Sequence, residues 1–142
     1  MPGRLLPRQF YARDALDVAR DLLGQEIWRG DVKLRITEVE AYRGKEDLAC
    51  HASRGRTDRT EIMYHKGGVV YVYLIYGMYW MLNIVTGMRN NPQAVLIRGL
   101  SDITGPGRIS RTLKVDRSFY GEDICRSDRL WIEDHSEKVK VE

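Results

Sequence analysis

Three segments rich in strand-forming residues follow one another with only turn residues between them. This constrains the fold more than any other feature. Val69 to Tyr76 and Met78 to Val85 are separated by Gly77, and Arg89-Asn90-Asn91-Pro92 turns the chain into Ala94 to Arg98. Short runs of β-branched and aromatic residues bounded by Gly, Asn and Pro read as strands. Connections this short join antiparallel neighbours, because a parallel crossover needs a dozen or more residues. Upstream, Gln25 to Arg29 and Val32 to Tyr42 form a second pair joined at Gly30-Asp31. Helical signals are fewer. Asp14 to Leu23 places Ala15, Leu16, Ala19, Leu22 and Leu23 on one face and stops at Gly24, as a glycine C-cap would. Thr104-Gly105-Pro106-Gly107-Arg108 opens a second helix through Ile109 and Leu113. Arg43 to His65 is polar and predicts an exposed excursion. The fold class is α+β, with an antiparallel or mixed sheet and flanking helices.

A length of 142 residues predicts one domain, residues 1–142. The longest apolar stretch, Val69 to Met81, is too short and too rich in Tyr to span a bilayer. No basic segment followed by an apolar one opens the chain, so no secretory leader is expected. With 43% hydrophobic and 30% charged residues, collagen, coiled coil, membrane span and disordered chain are excluded. The net charge of +3 hides an asymmetry. Residues 54–117 hold ten basic and four acidic side chains, whereas residues 118–142 hold four and seven. A local basic surface on a nearly neutral protein suggests an anionic partner such as nucleic acid. A solvated face with the acidic tail folded near it is the other reading.

The two cysteines, Cys50 and Cys125, form no CxxC pair, which argues against a zinc ribbon or finger. Cys50 beside His51 looks like a nucleophile pair, but neighbours on a strand point to opposite faces.

Period 2 along the second strand puts Val32, Leu34 and Ile36 on one face. The same parity continues to Glu38, Glu40 and Tyr42, so an apolar face runs into two carboxylates and a ring. Desolvation there would disfavour the charged carboxylate and make it a candidate general base. A strand end in solvent, a Glu paired with Arg, or a β-bulge that shifts the register are the alternatives.

Four of the eight tyrosines fall in the string YVYLIYGMYWMLN, Tyr71 to Asn83. Rings beside a glycine bend can stack on bases or wedge into a base step. Aromatics also favour strands and cores, and spacing alone leaves both readings open.

Read together, TEVEAY (Thr37 to Tyr42), AxHASRG (Ala49 to Gly55), YVYLIYGMYWMLN, AVLIR (Ala94 to Arg98) and GPGR (Gly105 to Arg108) resemble, in order, the alkyladenine or methylpurine DNA glycosylases. The resemblance covers roughly residues 5–120. It implies a single domain with a curved sheet, similar to the C-terminal domain of methionyl-tRNA formyltransferase. It also implies hydrolysis of the N-glycosidic bond of alkylated or deaminated purines. Under it, Glu40 is the general base for water and Arg98 lines the pocket and helps place that water. Tyr42 and Tyr73 sandwich the extruded base, with His51 closing the pocket. Asn83 crowds the 2-amino group of guanine, Tyr76 is the wedge, and Met78 and Tyr79 lie near it at the DNA surface. Tyr71 supports the pocket from behind. The partner implied is double-stranded DNA with damaged purines, with no metal, no organic cofactor and no membrane, and a monomer is expected. The location would be cytoplasm or nucleoid in a prokaryote, nucleus in a eukaryote. The motif segments hold no lysine, with Lys45 and Lys66 lying only between them, so water rather than an amine is the expected nucleophile.

Relative to that family, the chain is expected to be shortened between residues 99 and 104 and at the C-terminus. A rival function is a non-catalytic nucleic-acid-binding module using the same rings and basic surface. A small-molecule hydrolase is disfavoured by the lack of a Ser-His-Asp order or metal spacing.

Overall fold

Two short elements start the described chain, a strand β1 (Arg4–Leu5) and one helical turn α1 (Arg8–Tyr11). The computed structural model describes residues 4–44 and 60–134. Asp14 then caps helix α2 (Ala15–Leu22), its carboxylate accepting from the Leu16 amide at 3.0 Å. With the start fixed there, Ala15, Val18, Ala19 and Leu22 form the i, i+3, i+4, i+7 stripe and are buried. The predicted face therefore needs correction. Leu16 lies off that stripe, Leu23 leaves the helix in extended conformation, and both are exposed.

The chain continues into β2 (Glu26–Arg29) and β3 (Val32–Tyr42), a hairpin turning at Gly30 with φ +63°. After a 3₁₀ turn at Glu61–Tyr64 come β4 (Val70–Ile75), β5 (Tyr79–Thr86), β6 (Gln93–Leu100) and β7 (Ile103–Thr104). Helix α3 (Pro106–Thr112), a 3₁₀ turn at Arg117–Phe119 and β8 (Trp131–Asp134) complete it. The excursion expected over residues 43–65 is buried at its described end, where Thr60, Met63 and Tyr64 pack inward. Most of the remainder, with Cys50 and His51, lies outside the described residues.

Every strand pairing is antiparallel, in the order β1-β8-β2-β3-β6-β5-β4 with β7 beside β6. Helices α2 and α3 cover one face. Their Val18, Leu22, Ile109 and Leu113 join Ile27, Leu82, Ile84, Val95 and Ile97 in the main core. A second, smaller cluster of Met63, Val69, Tyr71, Val85 and Ala94 forms on the other face of β4, β5 and β6.

The strand carrying the predicted carboxylates changes face part-way. Leu34 and Ile36 point into the main core, as period 2 requires. Then the register against β6 slips: Ile36 opposes Leu100, Glu38 opposes Gly99, and Val39 opposes Ile97. Beyond the slip Val39 and Ala41 face the main core, and Tyr42 packs on the second cluster. The expectation that Glu38 and Glu40 sit on the apolar side of this strand is therefore corrected. Glu38 is exposed, and Glu40 emerges on the face opposite the main core. β6 shows the matching change, with Val95 and Ile97 in the core before the slip and Leu100 after it.

One close backbone approach locks α1 to the sheet. The Gly67 amide donates to Gly87 O at 2.9 Å, and the Gly87 amide donates to Tyr11 O at 3.0 Å. A Cβ on Gly67 would lie 2.4 Å from Tyr11 O and 3.0 Å from Thr86 Cα, both backbone atoms. Gly67→Ala should therefore destabilise the fold by about 1–3 kcal/mol, the usual cost of overpacking. Urea unfolding measures this as a lower midpoint, and an unchanged midpoint would contradict the close approach.

Candidate active site

Antiparallel register puts directly opposed residues on the same face of a sheet. One transverse row here reads Glu40 on β3, Leu96 on β6, Asn83 on β5 and Tyr71 on β4. The next row reads Tyr42, Ala94 and Val85. On the other side, Tyr73 opposes Met81, and Arg98 follows Leu96 by two residues on β6. Neighbouring strands are about 4.8 Å apart, so the four strands bring Glu40, Tyr42, Arg98, Asn83, Tyr71 and Tyr73 to one patch. None of them faces the main core.

Glu40 is held from both sides. The Tyr42 hydroxyl donates to Glu40 Oε1, and Arg98 Nε lies 3.2 Å from Glu40 Oε2. Tyr42 and Glu40 are two residues apart on one strand and so share its face. The slip lets Arg98 reach diagonally across from β6. The Glu40 and Arg98 side chains keep 42% and 39% of their exposure, so the carboxylate is accessible and not desolvated. For Tyr42 the phenol is pushed well above the ordinary tyrosine range, first by partial burial and then by its hydrogen bond to Glu40. It stays protonated and acts as a donor.

Asn83 is 2% exposed, and its amide nitrogen donates to Tyr71 O and Met81 O, each at 3.3 Å. Its orientation is set by the β4–β5 backbone. The Tyr71 and Tyr73 rings lie 5.3 Å apart at 38°. Tyr71 also meets Tyr120 edge-on at 6.2 Å. Tyr71 is buried in the second cluster, whereas Tyr73 is half-buried at its edge.

The hairpin between β4 and β5 turns through Tyr76 (φ +56°) and Gly77 (φ +67°), and Met78 N–H donates to Ile75 O at 3.0 Å. Consecutive positive φ values are the pattern of a type I′ turn. Glycine adopts this freely, but a tyrosine in the left-handed region is strained by about 1–2 kcal/mol. The Tyr76 ring is 88% exposed, so burial does not compensate. Met78 is also exposed. Tyr79 is half-buried: its ring rests on Gly107, where a Cβ would lie 2.6 Å from Tyr79 Cδ1. Between the hairpin and the Thr104–Arg108 segment runs a groove of about 320 Å³ lined by Ile75, Tyr76, Tyr79, Met81 and Pro106.

The structure thus brings together Glu40, Tyr42, Tyr73, Asn83 and Arg98, and places Tyr76, Met78 and Tyr79 along one adjoining hairpin. His51 lies outside the described residues. Cys125 is half-buried, and burial raises its thiol to about 11, the reverse of nucleophile activation. Reasoning from sequence missed Met81, which opposes Tyr73, and the Tyr42 hydroxyl contact. Only the cross-strand register reveals the first. Of the basic stretch, Arg98 is paired with Glu40, while Arg89, Arg108, Arg111, Lys114 and Arg117 have no carboxylate partner among the described residues.

A family model described as methylpurine-DNA glycosylase matches residues 9–142, which includes every residue of this patch. The chain belongs to the methylpurine-DNA glycosylase family. Several relatives carry the assignment 3-methyladenine DNA glycosylase. One from Methanocella arvoryzae is 44% identical over 96% of this chain and 80% of its own length. One from Legionella pneumophila is 45% identical over 88% of this chain and 74% of its own. One from a Wolbachia of Brugia malayi is 45% identical over 93% and 82%. As a methylpurine-DNA glycosylase the chain is an N-glycosyl hydrolase of DNA repair, and its α+β antiparallel sheet fits that family. Among the described residues no helix is long and apolar enough to cross a membrane.

The hairpin tip makes a direct prediction. Tyr76→Gly removes an exposed ring and relieves a left-handed side chain, so stability should stay level or rise by up to about 1 kcal/mol. Thermal unfolding checks this, and a melting temperature several degrees lower would mean that Tyr76 packs into the fold.

Proposed function

We propose that the chain extrudes alkylated or deaminated purines from duplex DNA and hydrolyses their N-glycosidic bond with a water activated by Glu40. The observation that carries this reading is the accessible Glu40 carboxylate, oriented by Arg98 and Tyr42 on the same face as Tyr73. The classes of base would be 3-methyladenine, 7-methylguanine, hypoxanthine and ethenoadenine.

A base inside a duplex is out of reach of any side chain, and extruding it costs a few kcal/mol. Tyr76, exposed at a strained turn, fills the vacated space, with Met78 and Tyr79 beside it. The extruded base lies between Tyr42 and Tyr73, with His51 closing the pocket and Asn83 crowding a guanine 2-amino group. A purine alkylated at N3 or N7 is cationic and is attracted to the ring faces.

The chemistry follows from charge. The bond from C1′ to N9 breaks with its electron pair going to the base, which neutralises an alkylated purine and makes it a good leaving group. The water oxygen bonds to C1′, and its proton passes to Glu40. Positioned general-base catalysis contributes about 10²–10⁴-fold. Arg98 keeps the carboxylate aimed, and hydrolysis leaves an abasic site with the strand intact. Neutral lesions such as hypoxanthine need a proton on the leaving base as well. Arg89, Arg108, Arg111, Lys114 and Arg117, which have no carboxylate partner among the described residues, supply charge for phosphates. The proposed unit is a monomer acting on double-stranded DNA.

The test is release of base from duplexes carrying 3-methyladenine or hypoxanthine. Glu40→Gln should slow single-turnover release at least about 100-fold with lesion binding retained. Release at the wild-type rate would remove Glu40 from the base role. Binding without release by the wild-type protein on every such duplex would favour a non-catalytic nucleic-acid module.

A further inference from the structure

Glu40 is a three-torsion side chain that remains 42% exposed, and such a side chain samples several rotamers unless it is tied. Ordering it costs side-chain conformational entropy. Arg98 alone is a weak tie. It is itself 39% exposed, and half-exposed ion pairs contribute little. Tyr42 differs. Its ring packs on the cluster of Met63, Val69, Tyr71, Val85 and Ala94, so its hydroxyl is a fixed point two residues along the same strand. That hydroxyl donates to Glu40 Oε1, while Arg98 Nε approaches Oε2.

We propose that the Tyr42 hydroxyl is a positioning group for Glu40, separate from any contact its ring makes with a base. The phenol anchors Oε1 and Arg98 steadies Oε2. The lone pairs left over on the carboxylate then point in a set direction, out of the sheet face. A general base gains most of its effect from such alignment, and displacement by about 1 Å can cost on the order of 100-fold in rate. A hydrogen bond to an ionised group is short and roughly twice as strong as a neutral one. The raised titration of Tyr42 agrees with this, since partial burial and the Glu40 contact both keep the proton on the phenol. The inference rests on Glu40 acting as the base.

Tyr42→Phe keeps the ring and deletes the donor. Single-turnover release of 3-methyladenine should slow about 10- to 100-fold, the range for loss of one charge-assisted hydrogen bond, while the Kd for the lesion-bearing duplex and the melting temperature stay near wild type. A second readout uses the phenol itself. In Glu40→Gln the Tyr42 signal, followed by tyrosine Cζ resonance, should titrate at lower pH than in the wild type. If Tyr42→Phe releases base at the wild-type rate while Glu40→Gln is inactive, the positioning role is wrong and the base assignment stands. If Glu40→Gln releases base normally, the base assignment itself fails. A parallel loss of binding and rate in Tyr42→Phe, or an unmoved Tyr42 titration in Glu40→Gln, would also overturn the positioning role.

Discussion

The register slip between β3 and β6 is the constraint on which the site depends. A strand of strict period 2 can serve one core face. Here Leu34 and Ile36 serve the main core before the slip, and Val39 and Ala41 serve it after. The exchange frees Glu40 and Tyr42 for the opposite face without leaving the strand without core contacts. β6 makes the same exchange at Arg98 and Gly99, with Leu100 returning to the core. Space there is tight, since a Cβ on Gly99 would lie 3.0 Å from the Glu38 side chain. Bulge-like irregularities re-aim side chains beside active sites, and this one re-aims a carboxylate, a phenol and a guanidinium at once.

The two faces of the sheet then divide the work. The covered face, under α2 and α3, carries nearly all the large buried aliphatic residues and supplies stability through apolar burial. The other face has only a small cluster, and the candidate site is built on it. It seats the Tyr42 and Tyr73 rings, and the Tyr71 ring meets both Tyr73 and Tyr120. Polar groups on this face are satisfied by neighbours on the same or the adjoining strand. Asn83 spends its amide protons on Tyr71 O and Met81 O, and Glu40 takes Tyr42 and Arg98. The Glu40–Arg98 pair is too exposed to matter much for stability. Its value is direction.

The strands and their turns were legible in the sequence because short apolar runs and glycine, asparagine and proline punctuation are local signals. Gly77 between β4 and β5 belongs to the same class. The Glu40 environment was not legible. Period 2 counted forward from Val32 assigns Glu40 to the core side, and no residue type in TEVEAY announces the slip. It arises from pairing with Gly99 and Leu100, about sixty residues away. The helix face was misjudged for a smaller reason: Leu16 is apolar, but the cap at Asp14 fixes a phase in which Val18 is buried instead. The left-handed conformation of Tyr76 was hidden as well, since a glycine neighbour suggests that the glycine alone takes the strained place. Resemblance of ordered motifs named Glu40, Tyr42, Tyr73, Asn83 and Arg98, which the cross-strand register brings to one patch, whereas periodicity misplaced Glu40.

The central claim is that the face opposite the main core receives the extruded purine. A crystal structure of the protein with a duplex carrying a non-cleavable N-methylpurine nucleotide tests it most directly. The purine is expected between Tyr42 and Tyr73, with the Glu40 carboxylate towards C1′ and Tyr76 in the vacated stack. The fold offers a second aromatic platform, the Trp28–Trp131 stack at 5.9 Å on β2 and β8. A purine bound there, or one left stacked in the duplex with Tyr76 outside it, would contradict the account.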